Sequence, residues 1–267
     1  MTPNISVIIV SWNVARSLKR CLESVFATLY PDLEVFVIDN ASTDDSVKVA
    51  KSFSKVNVRA NFNNIGFPQA VNIGLRQSRG DYILLLNPDT RLPKDFFVKA
   101  LEFAQSHSNM GVMGPKFTNP DGTPQGSVFP EPSILNTINQ KGQSLKECPE
   151  TDKPITVNAI SGACMWLSKS TVVKIGEFTK KVFMYYEDLD YCRRIRTAGL
   201  KVYFNPDITI VHEHGRSSTQ SPDAQKYLWQ SSIWYNGPLK HYLIWLISWS
   251  GQKFQKLLSG NVSTKTV

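Results

Sequence analysis

The stretch Ser6–Asn13, SVIIVSWN, sets four consecutive β-branched apolar residues between a serine and a polar exit. An apolar run without alternation reads as a strand buried on both faces, the kind found in parallel sheets. Leu33–Ile38, ending at Asp39, and Tyr82–Leu86, ending at Asn87, repeat the pattern, and Val56–Ala60 is a weaker copy. Helical spacing fills the intervals. Ala15–Leu29 places Leu18, Leu22, Val25 and Phe26 on one side, and Thr43–Phe53, Pro68–Arg76 and Asp95–Gln105 follow. The β-α-β-α order predicts an α/β fold with a mostly parallel central sheet flanked by helices.

Length and composition bound the rest. A chain of 267 residues with 42% apolar content suits one large α/β domain, or one domain plus an appendage, with a core that needs no disulfides. Cys21, Cys148, Cys164 and Cys192 have neither paired nor metal-ligand spacing and read as reduced thiols. The net charge of +8 points to anionic partners: nucleic acid, anionic lipid or phosphorylated small molecules. The basic residues are dispersed and no nucleic-acid motif occurs, which argues against nucleic acid. Val7–Val10 is too short for a signal peptide, and no run approaches the ~20 apolar residues of a membrane span. A cytoplasmic protein is expected.

Past Met110 the pattern changes. Asn119–Pro132 is rich in Pro, Gly and Asn and reads as loop or hairpin; Thr137–Lys153 is polar and reads as mobile. Order resumes over Val157–Leu167, a helix is expected from Glu187 to Ala198, and Lys201–Phe204 and Ile208–Val211 read as two short strands. The tail, Gln225–Leu258, carries four of the six tryptophans, and Leu239, Tyr242, Leu243, Leu246 and Trp249 share a helical face. That face suits either a membrane interface or packing on the main domain.

Polar residues cluster just past the strand ends: Ser11–Asn13, Asp39–Ser42 and Asn87–Asp89. In open parallel sheets ligands bind at the carboxyl ends of strands, so these segments converge on one rim. Asp39 there can accept a hydrogen bond from a ring N–H of a base, while Ser42 and Asp44 are better placed to cap the next helix. Asp89 with Asn87 offers oxygens to a hard cation such as Mg²⁺ or Mn²⁺, although alone it reads as an Asn-Pro-Asp turn. Gly66, before a helix in NNIGFPQAVNIGL, would let backbone approach a ligand, with Asn64 or Asn72 touching ribose or phosphate. Neither GxGxxG nor a P-loop is present. His212 opens HEHGRSS, which reads as a surface loop or a partial metal site.

FMYYEDLDY, Phe183–Tyr191, collects three carboxylates inside an aromatic collar. Helix-dipole stabilisation accounts for Glu187, Asp188 and Asp190 in a first turn, and Asp190 has Arg194 four residues on. It does not account for the collar.

These segments, with GACMWLSKSTVVKIGEF, occur in an order that resembles the family 2 glycosyltransferases of GT-A fold, and within them the bacterial rhamnosyltransferase-like branch. The resemblance spans about Ile5–Ser218. It implies a glycosyltransferase domain over residues 1–218, with a nucleotide-sugar half (1–115) and an acceptor half (116–218), followed by a C-terminal helical extension (219–267). It places Ser11 and Asp39 at the base, Asn64 and Gly66 beside the nucleotide, and Gly162 and Ala163 near donor sugar and acceptor. Asp89, the last aspartate of a DxD-like motif whose first position is Asn87, and His212 would hold a divalent metal, Mg²⁺ or Mn²⁺. Asp188 would be the catalytic base, supported by Glu187 and Asp190, with Phe183, Tyr185 and Tyr186 walling a partly dry site.

The implied reaction is an inverting transfer from a nucleotide-diphospho-sugar donor, with dTDP-rhamnose expected, to a glycan or lipid-linked acceptor, at the inner face of the membrane if the tail touches it. UDP-galactofuranose or a UDP-hexose is the alternative donor. A non-catalytic nucleotide-sugar-binding subunit is the alternative role.

Overall fold

The computed structural model describes residues 3–139, 147–213 and 223–260, with backbone alone at 139 and 251–260. The first half runs β1 (Ile5–Ser11), α1 (Ala15–Ala27), β2 (Leu33–Asp39), α2 (Ser46–Lys51), β3 (Val56–Ala60), α3 (Phe67–Gln77), β4 (Tyr82–Leu86), β5 (Thr90–Arg91) and α4 (Phe96–Ser106). The second continues through β6 (Met110–Thr118), β7 (Pro124–Gln125), β8 (Val128–Phe129), α5 (Ile134–Asn139), β9 (Ile155–Thr156), β10 (Ala159–Ile160), β11 (Cys164–Ser168) and α6 (Lys169–Ile175). It ends with α7 (Glu187–Thr197), β12 (Lys201–His212), α8 (Ala224–Asn236) and α9 (Pro238–Gly260).

The main sheet has the order β3-β2-β1-β4-β11-β6-β12-β5. β1 pairs in parallel with β2 and β4, β2 with β3, and β6 with β12. β11 alone among the longer strands runs antiparallel, Cys164 opposite Leu86 on one side and Trp166 opposite Met113 on the other. Every residue of β1 is buried, as its unalternated run requires. Ile5, Val7 and Ile9 face a core closed by α1 and α4, whereas Ile8 and Val10 face a second closed by α3 and α7. Full burial of each such side chain is worth roughly 1.5–3 kcal/mol before the entropy of ordering is set against it. Trp166, fully buried, stacks on Tyr82 at 5.2 Å.

Two expectations change and a third is met. The helix expected from Thr43 begins at Ser46, because Asp44 Oδ1 accepts the Ser46 N–H and its Oδ2 accepts the Ala15 N–H at the start of α1. The two short strands after Lys201 are one strand, β12, with its register broken between Asn205 and Thr209. The turn at Asn119–Thr123 is a hairpin, β6 against β7, with Gly122 at φ +85°. Within Thr137–Lys153, residues 140–146 lie outside the described residues, as do 214–218 of HEHGRSS.

The tail is two helices separated at Gly237. α8 lies against α7 and the segment before it: Ser231 Oγ donates to Met184 O at 2.7 Å, and Arg193 of α7 sits over the Tyr235 ring at 3.5 Å. Among the described residues no helix is long and apolar enough to cross a membrane.

Candidate active site

The carboxyl rim of the sheet gathers β1, β2 and β4 at their ends, and β12 at His212. Antiparallel β11 begins at this same rim, which brings residues 161–163 beside the Asn87–Asp89 turn. Asn87 N–H donates to Ala163 O at 2.9 Å. The next residue back, Gly162, donates its N–H to Asp188 Oδ2 at 3.0 Å, while Asp188 Oδ1 accepts the Leu189 N–H at 2.8 Å. Asp89 and Asp188, 99 positions apart in sequence, are thus joined by one short path of backbone.

Asp89 is 5% exposed, and its Oδ1 is buried without a hydrogen-bond partner. His212 Nε2 lies 3.4 Å from that oxygen. The tautomer of His212 follows from Gln125. Its amide nitrogen donates to Asn119 Oδ1 at 2.8 Å and to His212 O at 3.2 Å, so its Oε1 faces His212 Nδ1 at 2.6 Å. Nδ1 therefore carries a proton, and Nε2 is the ring nitrogen turned toward Asp89. A carboxylate oxygen and an imidazole nitrogen so placed are the kinds of donor that a divalent cation takes. Among the described residues no group of three or more His, Cys, Asp or Glu could hold a metal, so a cation here would need substrate or water oxygens to complete its shell. Gln125 carries no motif signal in the sequence; only the hairpin places it.

The three carboxylates of the acidic turn have different surroundings. Asp190 Oδ2 accepts Arg194 Nε at 3.0 Å, the i,i+4 pair. Glu187 is buried, and its Oε2 has no hydrogen-bond partner. Burial, and then the charge of Asp188, pushes its carboxyl from an ordinary 4.5 up to about 8. A carboxyl raised in the folded state keeps its proton after the unfolded chain has lost it. The stability it contributes is complete below about pH 4.5 and is lost as pH rises to about 8. Glu187→Gln keeps the neutral shape. It is expected to gain on the parent by on the order of a few kcal/mol between pH 5 and pH 8, measured by urea unfolding at both. A parent and variant that change in parallel would contradict this account of Glu187.

The collar is also redirected. Phe183 stacks on Tyr227 at 4.3 Å and Tyr186 packs on Tyr235 at 5.2 Å, so these rings dock α8. Tyr185 and Tyr186 have φ of 70° and 66°. Among the described residues the other non-glycine positive φ values are at Asn13, Ala41 and Leu29, and all but Leu29 lie in rim loops, where strain marks functional sites.

Asp39 is fully buried. Its Oδ2 accepts Ser11 Oγ and Ser42 Oγ, both at 2.6 Å, and its Oδ1 accepts the Ser42 N–H at 2.8 Å. In this arrangement the carboxylate organises its own loop. Gly66 is a glycine for a reason internal to the protein: at φ +86°, an added Cβ would sit 2.5 Å from Phe183 O. Asn64 Oδ1 accepts the Gly66 N–H at 3.0 Å. Asn72, by contrast, is fully buried and spends both amide groups on the backbone of Phe178, which removes it from any ribose contact. Cys21 and Cys192 are buried free thiols pushed up to about 12, so neither serves as a nucleophile.

The sequence model of the family described as "Glycosyl transferase family 2" matches residues 6–160, more than half of the chain. The chain is 25% identical over 231 residues to the low-salt glycan biosynthesis hexosyltransferase Agl10 of Haloferax volcanii, covering 82% of this chain and 70% of that one. It is 23% identical over 278 residues to the N-acetylglucosaminyl-diphospho-decaprenol L-rhamnosyltransferase of Mycobacterium tuberculosis, covering 90% and 89%. The structure resembles the mannosyltransferase PcManGT of Pyrobaculum calidifontis in complex with GDP-Man and Mn²⁺, with a TM-score of 0.65 and 16% identity over 100% of this chain and 77% of that one. The fold is GT-A, as the sequence resemblance implied.

Proposed function

Because the chain belongs to glycosyl transferase family 2, we propose that it transfers L-rhamnose from dTDP-rhamnose, with inversion, to a hydroxyl of a lipid-linked glycan. The observation that carries this reading is the backbone path from Asp89 through Ala163 and Gly162 to Asp188. It sets a carboxylate suited to the diphosphate side of a donor and one suited to the acceptor side on two edges of one rigid turn. The rhamnosyl donor and lipid-linked acceptor are supported by the Mycobacterium relative's name.

In this reading Asp188 accepts the proton of the acceptor hydroxyl as its oxygen bonds to the anomeric carbon. The anomeric carbon–oxygen bond breaks in the same step, and its electron pair leaves with the nucleoside diphosphate. A hydroxyl is a poor nucleophile at neutral pH, and a positioned base contributes about 10²–10⁴-fold. Gly162 and Leu189 hold the carboxylate in place through their N–H groups. Asp89 and His212 would hold a divalent cation, Mg²⁺ or Mn²⁺. Bound there, it would supply positive charge against the diphosphate leaving group.

Ser11, Asp39, Asn64 and Gly66 line the base and nucleotide side. Asp39 Oδ1 accepts only the Ser42 N–H and keeps a second lone pair for a ring N–H. Glu187 and Asp190 support the turn, one by neutral burial and one through Arg194.

The test is release of nucleoside diphosphate from dTDP-rhamnose, UDP-galactofuranose, UDP-galactose and GDP-mannose, each with Mn²⁺ and a polyprenyl-diphosphate N-acetylglucosamine acceptor. Acceptor-dependent release is expected from dTDP-rhamnose. Release from a UDP-sugar alone would replace the donor. Donor-induced thermal stabilisation with no release from any would replace catalysis by binding.

A further inference from the structure

We propose that the outer face of α5 and α9 docks on an anionic lipid bilayer. α5 packs against α9, and both helices expose large apolar side chains. Leu135 is 73% exposed, Leu239 76% and Leu246 50%, and Tyr242, Trp245 and Trp249 are also exposed on α9. An isolated exposed leucine needs no explanation, but a shelf of aliphatic and aromatic side chains on two adjoining helices does.

Only the edge of this face packs on the fold, where Tyr242 and Trp245 each meet Trp229 of α8 at 5.9 Å. The inner side of α9 is already satisfied: His241 is 4% exposed, its Nδ1 lies 2.8 Å from Ser232 Oγ, and its ring meets Trp229 of α8 at 4.4 Å. α8 is in turn held by Phe183 and Tyr186, beside the acidic turn. The shelf is therefore fixed relative to the candidate active site.

Charge selects the occupant. From Pro238, the start of α9, to the last residue of the sequence there are four lysines and no acidic residue. A second copy docking through the same face would bring like charge against like charge. An anionic bilayer complements both properties, taking Trp, Tyr and Leu at the headgroup level and attracting the lysines electrostatically. Among the described residues no helix can span, so α9 lies in the interface plane. A lipid-linked acceptor would then be met where it resides, which extends the proposed function.

The experiment is co-sedimentation of the full chain with vesicles of phosphatidylglycerol and phosphatidylcholine in equal parts, without donor or acceptor, so its failure is distinguishable from failure of the transfer reading. Binding is expected, weaker to pure phosphatidylcholine and weaker in high salt. Leu246→Glu with Trp249→Glu is expected to lower partitioning at least about tenfold. Leu135→Glu, on the other helix, should lower it in the same direction, with thermal melting of both variants unchanged. No sedimentation of the parent, or variants that bind equally well, would overturn the proposal. So would a parent dimer by light scattering that the double variant renders monomeric without loss of vesicle binding.

Discussion

Asp188→Asn is expected to lose about 10²–10⁴-fold in the rate of transfer while binding donor as the parent does. The side chain has a neighbour at each oxygen, the Gly162 N–H at Oδ2 and the Leu189 N–H at Oδ1. An amide can satisfy only one of these donors with its oxygen; its nitrogen must face the other. The substitution therefore removes the proton acceptor and loosens the Gly162 contact together. Steady-state kinetics separates the outcomes: a fall in kcat with donor KM retained is the signature of a lost base. A rise in donor KM with kcat retained would mean that Asp188 positions the turn at residues 161–163 and takes no proton. Full retained activity would remove Asp188 from the chemistry.

Asp89→Asn is expected to abolish Mn²⁺-dependent thermal stabilisation by dTDP and to lower kcat/KM by about 10²–10³-fold, the scale of several kcal/mol of charge stabilisation. The protein alone should melt no lower than the parent. Asp89 Oδ1 is a buried acceptor without a partner, facing the Nε2 of His212 at 3.4 Å. An amide keeps the shape of the side chain and removes a buried charge whose Oδ1 has no hydrogen-bond partner. Loss of ligand response with an intact melting point places the defect at the site. An unchanged dTDP and Mn²⁺ response would remove Asp89 from metal binding.

Much of the first half of the fold was legible because its strands are buried on both faces. Such strands show as unbroken β-branched runs, and the polar residues that follow them lie at one rim by the geometry of a parallel sheet. Ser11, Asp39 and Asp89 were found this way, without any long-range contact being known. Antiparallel β11 was not legible, since an apolar run such as CMWLS carries no sign of direction. Its direction is what delivers Gly162 and Ala163 to Asp188 and Asn87. Gln125 was invisible for a similar reason: a glutamine in a Gly- and Pro-rich hairpin acquires a role only when the hairpin meets His212.

The acidic turn shows the division most clearly. Sequence alone determined that three carboxylates share the first turn of a helix, that Asp190 pairs with Arg194, and that the chain carries the ordered motifs of its family. It could not tell which carboxylate would be buried, because burial depends on what packs from elsewhere. Tertiary structure enclosed Glu187, gave Asp188 the Gly162 N–H, and turned Phe183 and Tyr186 onto α8. Periodicity is written in neighbouring residues and can be read locally. Desolvation and hydrogen bonding between segments 26 to 106 positions apart belong to the packed chain alone.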